Sequence, residues 1–198
     1  MIAFDIEVVP DEEKLASRQW AEYKARKNIT DDQDAALHPA FSKVVCVCAF
    51  NRKDGSKLAV CDTDESRVLA ETSQFIAGKT TILGGHNIKG YDIPMLGNRC
   101  LANKLLVPDC LRVAGKKPWD IPHVDTVDLL KFGGGPYISL DDICLMLGVP
   151  SPKEGEVNAL GVWQAYKDDK LDQISTYCGK DVNAWCRCIK ILEAMGAC

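Results

Sequence analysis

Apolar and polar side chains alternate strictly at the start of the chain. Ile2, Phe4, Ile6 and Val8 fall on one face and Ala3, Asp5 and Glu7 on the other, the period of a β-strand. The strand carries an acidic face, yet Met1-Ile2-Ala3-Phe4 before the acidic pair and Val8-Val9 after it are apolar. A run so apolar on both sides is expected in the centre of a sheet. Residues 11–40 are polar and charged, with 11–27 expected to be helical, 28–39 a loop, and nothing there that looks catalytic. Residues 44–50 and 58–61 read as two further strands. Lys53-Asp54-Gly55 lies between them, and its Asp-Gly step favours a hairpin, so the three strands form a meander.

The period then changes from two to 3.6. Val68, Leu69, Thr72, Phe75 and Ile76 share one helical face, with Asp64 as cap and Gly78 as stop. Thr81-Ile82-Leu83 reads as a short strand running into Gly84-Gly85-His86-Asn87, and Pro94 marks the start of the next helix. Val124 fits one more short strand. Ser139 and Asp142 resemble a capping box for a helix that ends at Gly148 ahead of Pro150. The final helix carries Leu171, Ile174, Cys178, Trp185, Ile189 and Leu192 at helical spacing. Antiparallel strands first, then strand and helix in alternation, predict an α/β fold: a mixed β-sheet flanked by helices.

Length and composition narrow the class. A chain of 198 residues suits a single domain, 1–198, with one ordinary core. Hydrophobic content of 46% and charged content of 26% fit a globular protein. No apolar run approaches the roughly 20 residues of a membrane span, and the start lacks the pattern of a secretory signal, so no membrane association and a cytoplasmic location are expected. Ten cysteines are present without a Cys-x-x-Cys pair; Cys46 and Cys48 alternate along an apolar strand, and Cys186 and Cys188 sit in a helical stretch. They read as small buried apolar residues rather than zinc ligands. The net charge of −4 does not advertise affinity for nucleic acid, so any such site is local or relies on metal ions.

Three short motifs carry candidate chemistry. Asp5 and Glu7, two apart on a strand, project from the same face with Cα atoms roughly 6–7 Å apart. Alone they read as a solvated polar face, but buried carboxylates on so apolar a strand need a compensating cation. Asp92 closes the stretch from Gly85 through Asn87, Lys89 and Tyr91, just ahead of Pro94; alone, Asp92 reads as a helix cap and Asn87 as a turn residue. Tyr177 and Asp181, four apart in the last helix, share a face. His86 reads as a loop residue making a structural hydrogen bond, His123 stays outside the catalytic set, and Asp125 and Asp128 read as caps of a short helix. Lys43, Lys89, Lys153 and Lys180 are candidates for steering phosphates, although scattered lysines are usually solvated surface.

In order, spacing and context these motifs resemble the DEDD 3′→5′ exonucleases. Phe4-Asp5-Ile6-Glu7 matches the first motif, Asn87 to Asp92 the second, and Tyr177-x-x-x-Asp181 the third in its tyrosine form. Thr176 stands where the histidine form would have its base. The chain is most similar to the predicted exonuclease family related to the proofreading domain of family B DNA polymerases. Softer matches lie at Ser139-Leu140-Asp141, Leu147-Gly148-Val149-Pro150, Lys153, Tyr166 and Ile174. Val8 departs from the hydroxyl residue frequent at that position, and residues 155–161 are only loosely similar.

The resemblance implies a ribonuclease-H-like fold and a two-metal-ion 3′→5′ exonuclease acting on single-stranded DNA. Asp5 would bridge two Mg²⁺ or Mn²⁺ ions, Glu7 and Asp181 would complete the first, and Asp92 would hold the second. Such ions activate water and stabilise the leaving oxygen. Tyr177 would orient the attacking water, and Asn87 and Lys89 would contact substrate. A 3′→5′ exoribonuclease of the same superfamily, or a non-catalytic nucleic-acid-binding module docking to a replication protein, are the competing readings.

Overall fold

The computed structural model describes residues 1–78, 81–152 and 161–197. The sequence-predicted strands and helices are there, with three shifts that matter for the site. Strand β1 spans Ile2–Pro10. Instead of one helix over residues 11–27, Ser17 breaks the run into α1 (Glu12–Leu15) and α2 (Arg18–Lys27), its hydroxyl capping the second by accepting from the Trp20 amide. Instead of a loop over 28–39, Asp32–Leu37 forms a 3₁₀ helix capped by Asp31. It is tied to α2 by Asp32, whose carboxylate accepts from the Trp20 indole and the Lys24 ammonium, each at 2.7 Å.

Strands β2 (Ser42–Asn51) and β3 (Lys57–Cys61) make the expected hairpin, and α3 (Glu65–Phe75) follows, capped by Asp64. The next strand, β4, is Leu83–Gly85, later than expected, because the two glycines fit where a side chain does not. A Cβ on Gly84 would lie 2.4 Å from the Trp185 ring, and one on Gly85 would lie 2.9 Å from the Phe4 carbonyl oxygen. Helix α4 (Asp92–Ala102), β5 (Val124–Asp125), α5 (Thr126–Leu130), α6 (Leu140–Leu147), α7 (Val162–Lys167) and α8 (Leu171–Ala194) complete the described strands and α-helices.

The sheet order is β3-β2-β1-β4-β5. β1 pairs antiparallel with β2 and β2 with β3, whereas β4 runs parallel to both β1 and β5. The acidic strand is therefore central. Its alternation sends the two faces to two cores. Ile2, Phe4 and Ile6 pack with Val68 and Leu69 of α3 and Ile93 and Leu96 of α4. Ala3 and Val9 pack with Cys46, Cys48 and the Ile174, Trp185 and Ile189 side chains of α8. Each fully buried aliphatic side chain contributes roughly 1.5–3 kcal/mol, and helices on both faces leave this mixed sheet covered.

A buried ion pair locks α4 against the first half of the fold. The Glu65 carboxylate accepts from the Arg99 guanidinium at 2.8 and 2.5 Å, from the Asn103 amide at 2.8 Å and from the Val44 backbone N–H at 2.7 Å. Arg99 also donates to the Pro39 carbonyl at 2.8 Å. Because each charge is paired and hydrogen-bonded, the desolvation cost is met, and α4 and the segment before β2 are held in fixed relation.

Candidate functional site

β1 presents Asp5 and Glu7 on the face that looks toward α8. In the ladder Asp5 lies opposite Cys48 and Glu7 opposite Cys46; Val8 then pairs with Val44, so Val45 is an extra residue on β2. Such a bulge bends and twists the strand locally, here just beyond the acidic pair. The Asp5 and Glu7 oxygens and the Cys178 sulfur all lie within 4.8 Å of one another. Glu7 is buried and Asp5 half-buried.

Asp92 reaches the site from α4, which packs in the core on the opposite face of the sheet from α8. It is not the helix cap that its position suggests: the cap residue of α4 is Tyr91, which makes no side-chain capping bond. Asp92 is the first helical residue, 3% exposed, and its Oδ1 has no hydrogen-bond partner. An orphaned buried carboxylate oxygen is costly unless a cation meets it. The loop that delivers it is organised by Asp125, which accepts from the backbone N–H groups of Asn87 at 2.8 Å, Lys89 at 2.9 Å and Val127 at 2.9 Å. Asp125 thus caps α5, as its sequence position suggests, and also anchors the loop. Asn87 sits in the left-handed region, φ 60°, a conformation asparagine tolerates better than most residues.

α8 brings the remaining pair. The i, i+4 spacing puts Tyr177 and Asp181 on one face, and the Asp181 charge helps raise the pKa of the Tyr177 hydroxyl. Asp5, Glu7, Asp92, Tyr177 and Asp181 all line one cavity of about 500 Å³. Asp31 and Asp34 contribute two more carboxylates, and among the described residues neither lysine nor arginine lines it.

The electrostatics follow from that crowding. Burial pushes the Asp5 carboxyl well above the ordinary carboxylate range, and the charges of Glu7, Asp92 and Asp181 push it further. Glu7 is raised likewise, by burial first and then by Asp181 and Asp92. Asp92 is pushed up to about 7, mainly by burial with Asp125 adding to it, while backbone hydrogen bonds at Asp92 and Ile6 oppose the shift. Burial and the same carboxylates raise Tyr177 above the usual phenol range. Hard oxygen donors that are partly buried and repel one another suit Mg²⁺ or Mn²⁺, so these residues fit the cations that the motif resemblance implies.

Part of the cavity wall had no sequence signal. Gln33, Asp34 and Leu37 of the 3₁₀ helix line it, and Tyr91 fastens that helix by donating to the Ala36 carbonyl at 2.9 Å. His86 is the structural loop residue expected from its context, bonded to the Thr126 hydroxyl at 2.9 Å and the Tyr137 hydroxyl at 3.1 Å. His123 is spent on the backbone, taking the Leu83 N–H at 3.1 Å and meeting the Cys110 carbonyl at 2.7 Å. Asn87 lines the cavity but Lys89 does not: its ammonium pairs with Asp128 at 3.1 Å. Asp128 is therefore a loop tether within α5 rather than its cap. Lys43 lies over the Tyr166 ring, 5.2 Å from its centre, Lys180 is exposed on α8, and Lys153 lies outside the described residues. Among the described residues no helix is long and apolar enough to cross a membrane.

Comparison with known proteins shows the family and the fold. Residues 35–196 match the model of a family described as a predicted 3′-5′ exonuclease related to the exonuclease domain of PolB. No curated protein matches the chain. Among solved structures, the family B DNA polymerase from the hyperthermophilic archaeon Pyrobaculum calidifontis is similar, with a TM-score of 0.66 and 20% identity over 97% of this chain. The chain spans 24% of that polymerase. At such identity the likeness speaks to the fold.

Proposed function

Because the chain belongs to the predicted 3′-5′ exonuclease family related to the exonuclease domain of PolB, with its ribonuclease-H-like fold, we propose that it hydrolyses phosphodiester bonds from the 3′ end of single-stranded DNA in a two-metal-ion reaction. We take residues 1–198 as one exonuclease domain working in the cytoplasm. The observation that carries this reading is the buried Asp92 oxygen with no partner, in a cavity shared with Asp5, Glu7 and Asp181. Mg²⁺ or Mn²⁺ held there would supply activation of a water molecule and stabilisation of charge on the phosphoryl and leaving oxygens.

The protein's own groups divide the remaining work. Asp5, Glu7, Asp92 and Asp181, which share one cavity, would hold the divalent cations. Tyr177, with its pKa raised, stays protonated near neutral pH, so it is a hydrogen-bond donor and not a base. Its hydroxyl steadies Asp181 and orients the attacking water. Asn87 contacts the substrate backbone, while Lys89 acts indirectly, holding the loop through Asp128.

The test uses matched 5′-labelled single-stranded DNA and RNA with Mg²⁺, Mn²⁺ or a chelator. DNA should shorten as a ladder from its 3′ end, and the chelator should abolish the ladder. Undiminished cleavage after metal removal would overturn the metal-dependent reading. Faster RNA cleavage would make the protein an exoribonuclease, and no turnover with Mn²⁺ would leave a nucleic-acid-binding module.

A further inference from the structure

Beside the carboxylates, on the same face of the sheet, the sulfurs of Cys46, Cys48 and Cys178 all lie within 4.8 Å of one another, and all three residues are buried. The sequence alone gives no hint of this, because two thiols come from β2 and the third from α8, 130 residues further on. The ladder explains the convergence. Cys46 and Cys48 are two apart on one strand and so project together, and α8 lays Cys178 across them. Cys61 of β3, the ladder partner of Cys46, is next to the group but outside it.

We propose that Cys46, Cys48 and Cys178 form a three-thiolate site for a soft or borderline divalent cation of the zinc class, with the fourth position left to solvent. Zn–S bonds of about 2.3 Å around a tetrahedral ion put the sulfurs about 3.8 Å apart, so the observed spacing requires only a small contraction. Binding breaks one S–H bond per cysteine, forms one metal–sulfur bond in its place and releases the protons to solvent, with no change of oxidation state. The two neighbouring sites differ in hardness: carboxylate oxygens favour Mg²⁺ or Mn²⁺, thiolates the zinc class. Cys178 stands at their boundary, because its sulfur also lies within 4.8 Å of the Asp5 and Glu7 oxygens and its thiol donates to the Asp5 carbonyl at 3.3 Å.

One of the three thiols faces a cavity. This cavity, of about 430 Å³, is lined by Cys48, Ser175, Gly179 and Cys186. A cation in this position would staple β2 to α8, the helix that carries Tyr177 and Asp181.

The test is independent of the nuclease reading. Reduced protein, with excess Mg²⁺ present to occupy the carboxylates, is titrated with Cd²⁺ while the sulfur-to-metal charge-transfer absorption in the ultraviolet is followed. The wild type should show the band saturating at one equivalent, and Zn²⁺ should displace it. The band should be lost in Cys46→Ser and in Cys48→Ser with the circular dichroism unchanged. It should persist in Cys144→Ser, which alters the separate buried pair Cys144 and Cys188, whose sulfurs are 3.7 Å apart. Absence of the band in the wild type overturns the proposal without any variant. Its survival in a Cys46→Ser, Cys48→Ser double variant, or its loss in Cys144→Ser, does so as well.

Discussion

At Asp92 burial and bonding are furthest out of balance: a carboxylate 3% exposed, raised by its burial to about 7, with one oxygen unmatched. An asparagine of the same shape removes the charge while keeping the volume. Asp92→Asn should therefore leave the metal-free protein as stable as the wild type or more so at neutral pH, while turnover falls on the order of 100-fold or more. Thermal unfolding in chelator and an exonuclease assay measure the two effects, and a variant that unfolds would return Asp92 to a structural role. Tyr177 calls for a different outcome. Tyr177→Phe keeps the packing and deletes one hydrogen bond, so kcat should drop about 10- to 1,000-fold with little change in substrate affinity, a milder loss than Asp181→Ala. Wild-type kcat in Tyr177→Phe would mean that the ring is merely core.

The elements that carry these side chains were legible to different degrees. β1 announced itself because its apolar flanks argue for a central strand, and α8 because its apolar stripe persists over many turns; both indeed frame the cavity. The 3₁₀ helix at Asp32–Leu37 did not, because its order comes from outside: Trp20 and Lys24 hold Asp32, and Tyr91 holds Ala36. Asp92 was ambiguous for a similar reason. A local reading made it a cap, and only the position of α4 against β1 removes it from solvent. Asp125 shows the converse, since its cap is local and readable while its bonds to Asn87 and Lys89 span nearly 40 residues. Asp125→Asn would turn an amide N–H toward a backbone N–H. It should destabilise the protein by about 1–3 kcal/mol and lower turnover by letting the Asp92 loop drift. The fall in melting temperature is what separates it from Asp92→Asn, and an unchanged Tm would remove Asp125 from the positioning role.

Across the whole molecule, the crowded carboxylates couple stability to pH and to cations in opposite directions. A carboxyl whose folded pKa exceeds its unfolded value holds its proton more tightly in the native state. Its contribution is fully present below the unfolded pKa and is lost as pH rises through the folded one. For Asp92 that window runs from the ordinary 3.8 to about 7, and Asp5 and Glu7 shift in the same sense. In chelator the melting temperature should thus fall as pH rises through this window, by up to about 1.4 kcal/mol of stability per pH unit for each proton involved. Mg²⁺ or Mn²⁺ binds the ionised carboxylates, so it should restore more stability the higher the pH, about 2.7 kcal/mol once it exceeds its dissociation constant 100-fold. Melting curves with and without cation should therefore nearly coincide at the acid end of the window and separate steadily toward its neutral end. Asp92→Asn should flatten the chelator curve. Curves that run parallel across the window, or a chelator curve that rises with pH, would mean that these carboxylates are neither strained in the free protein nor relieved by a divalent ion.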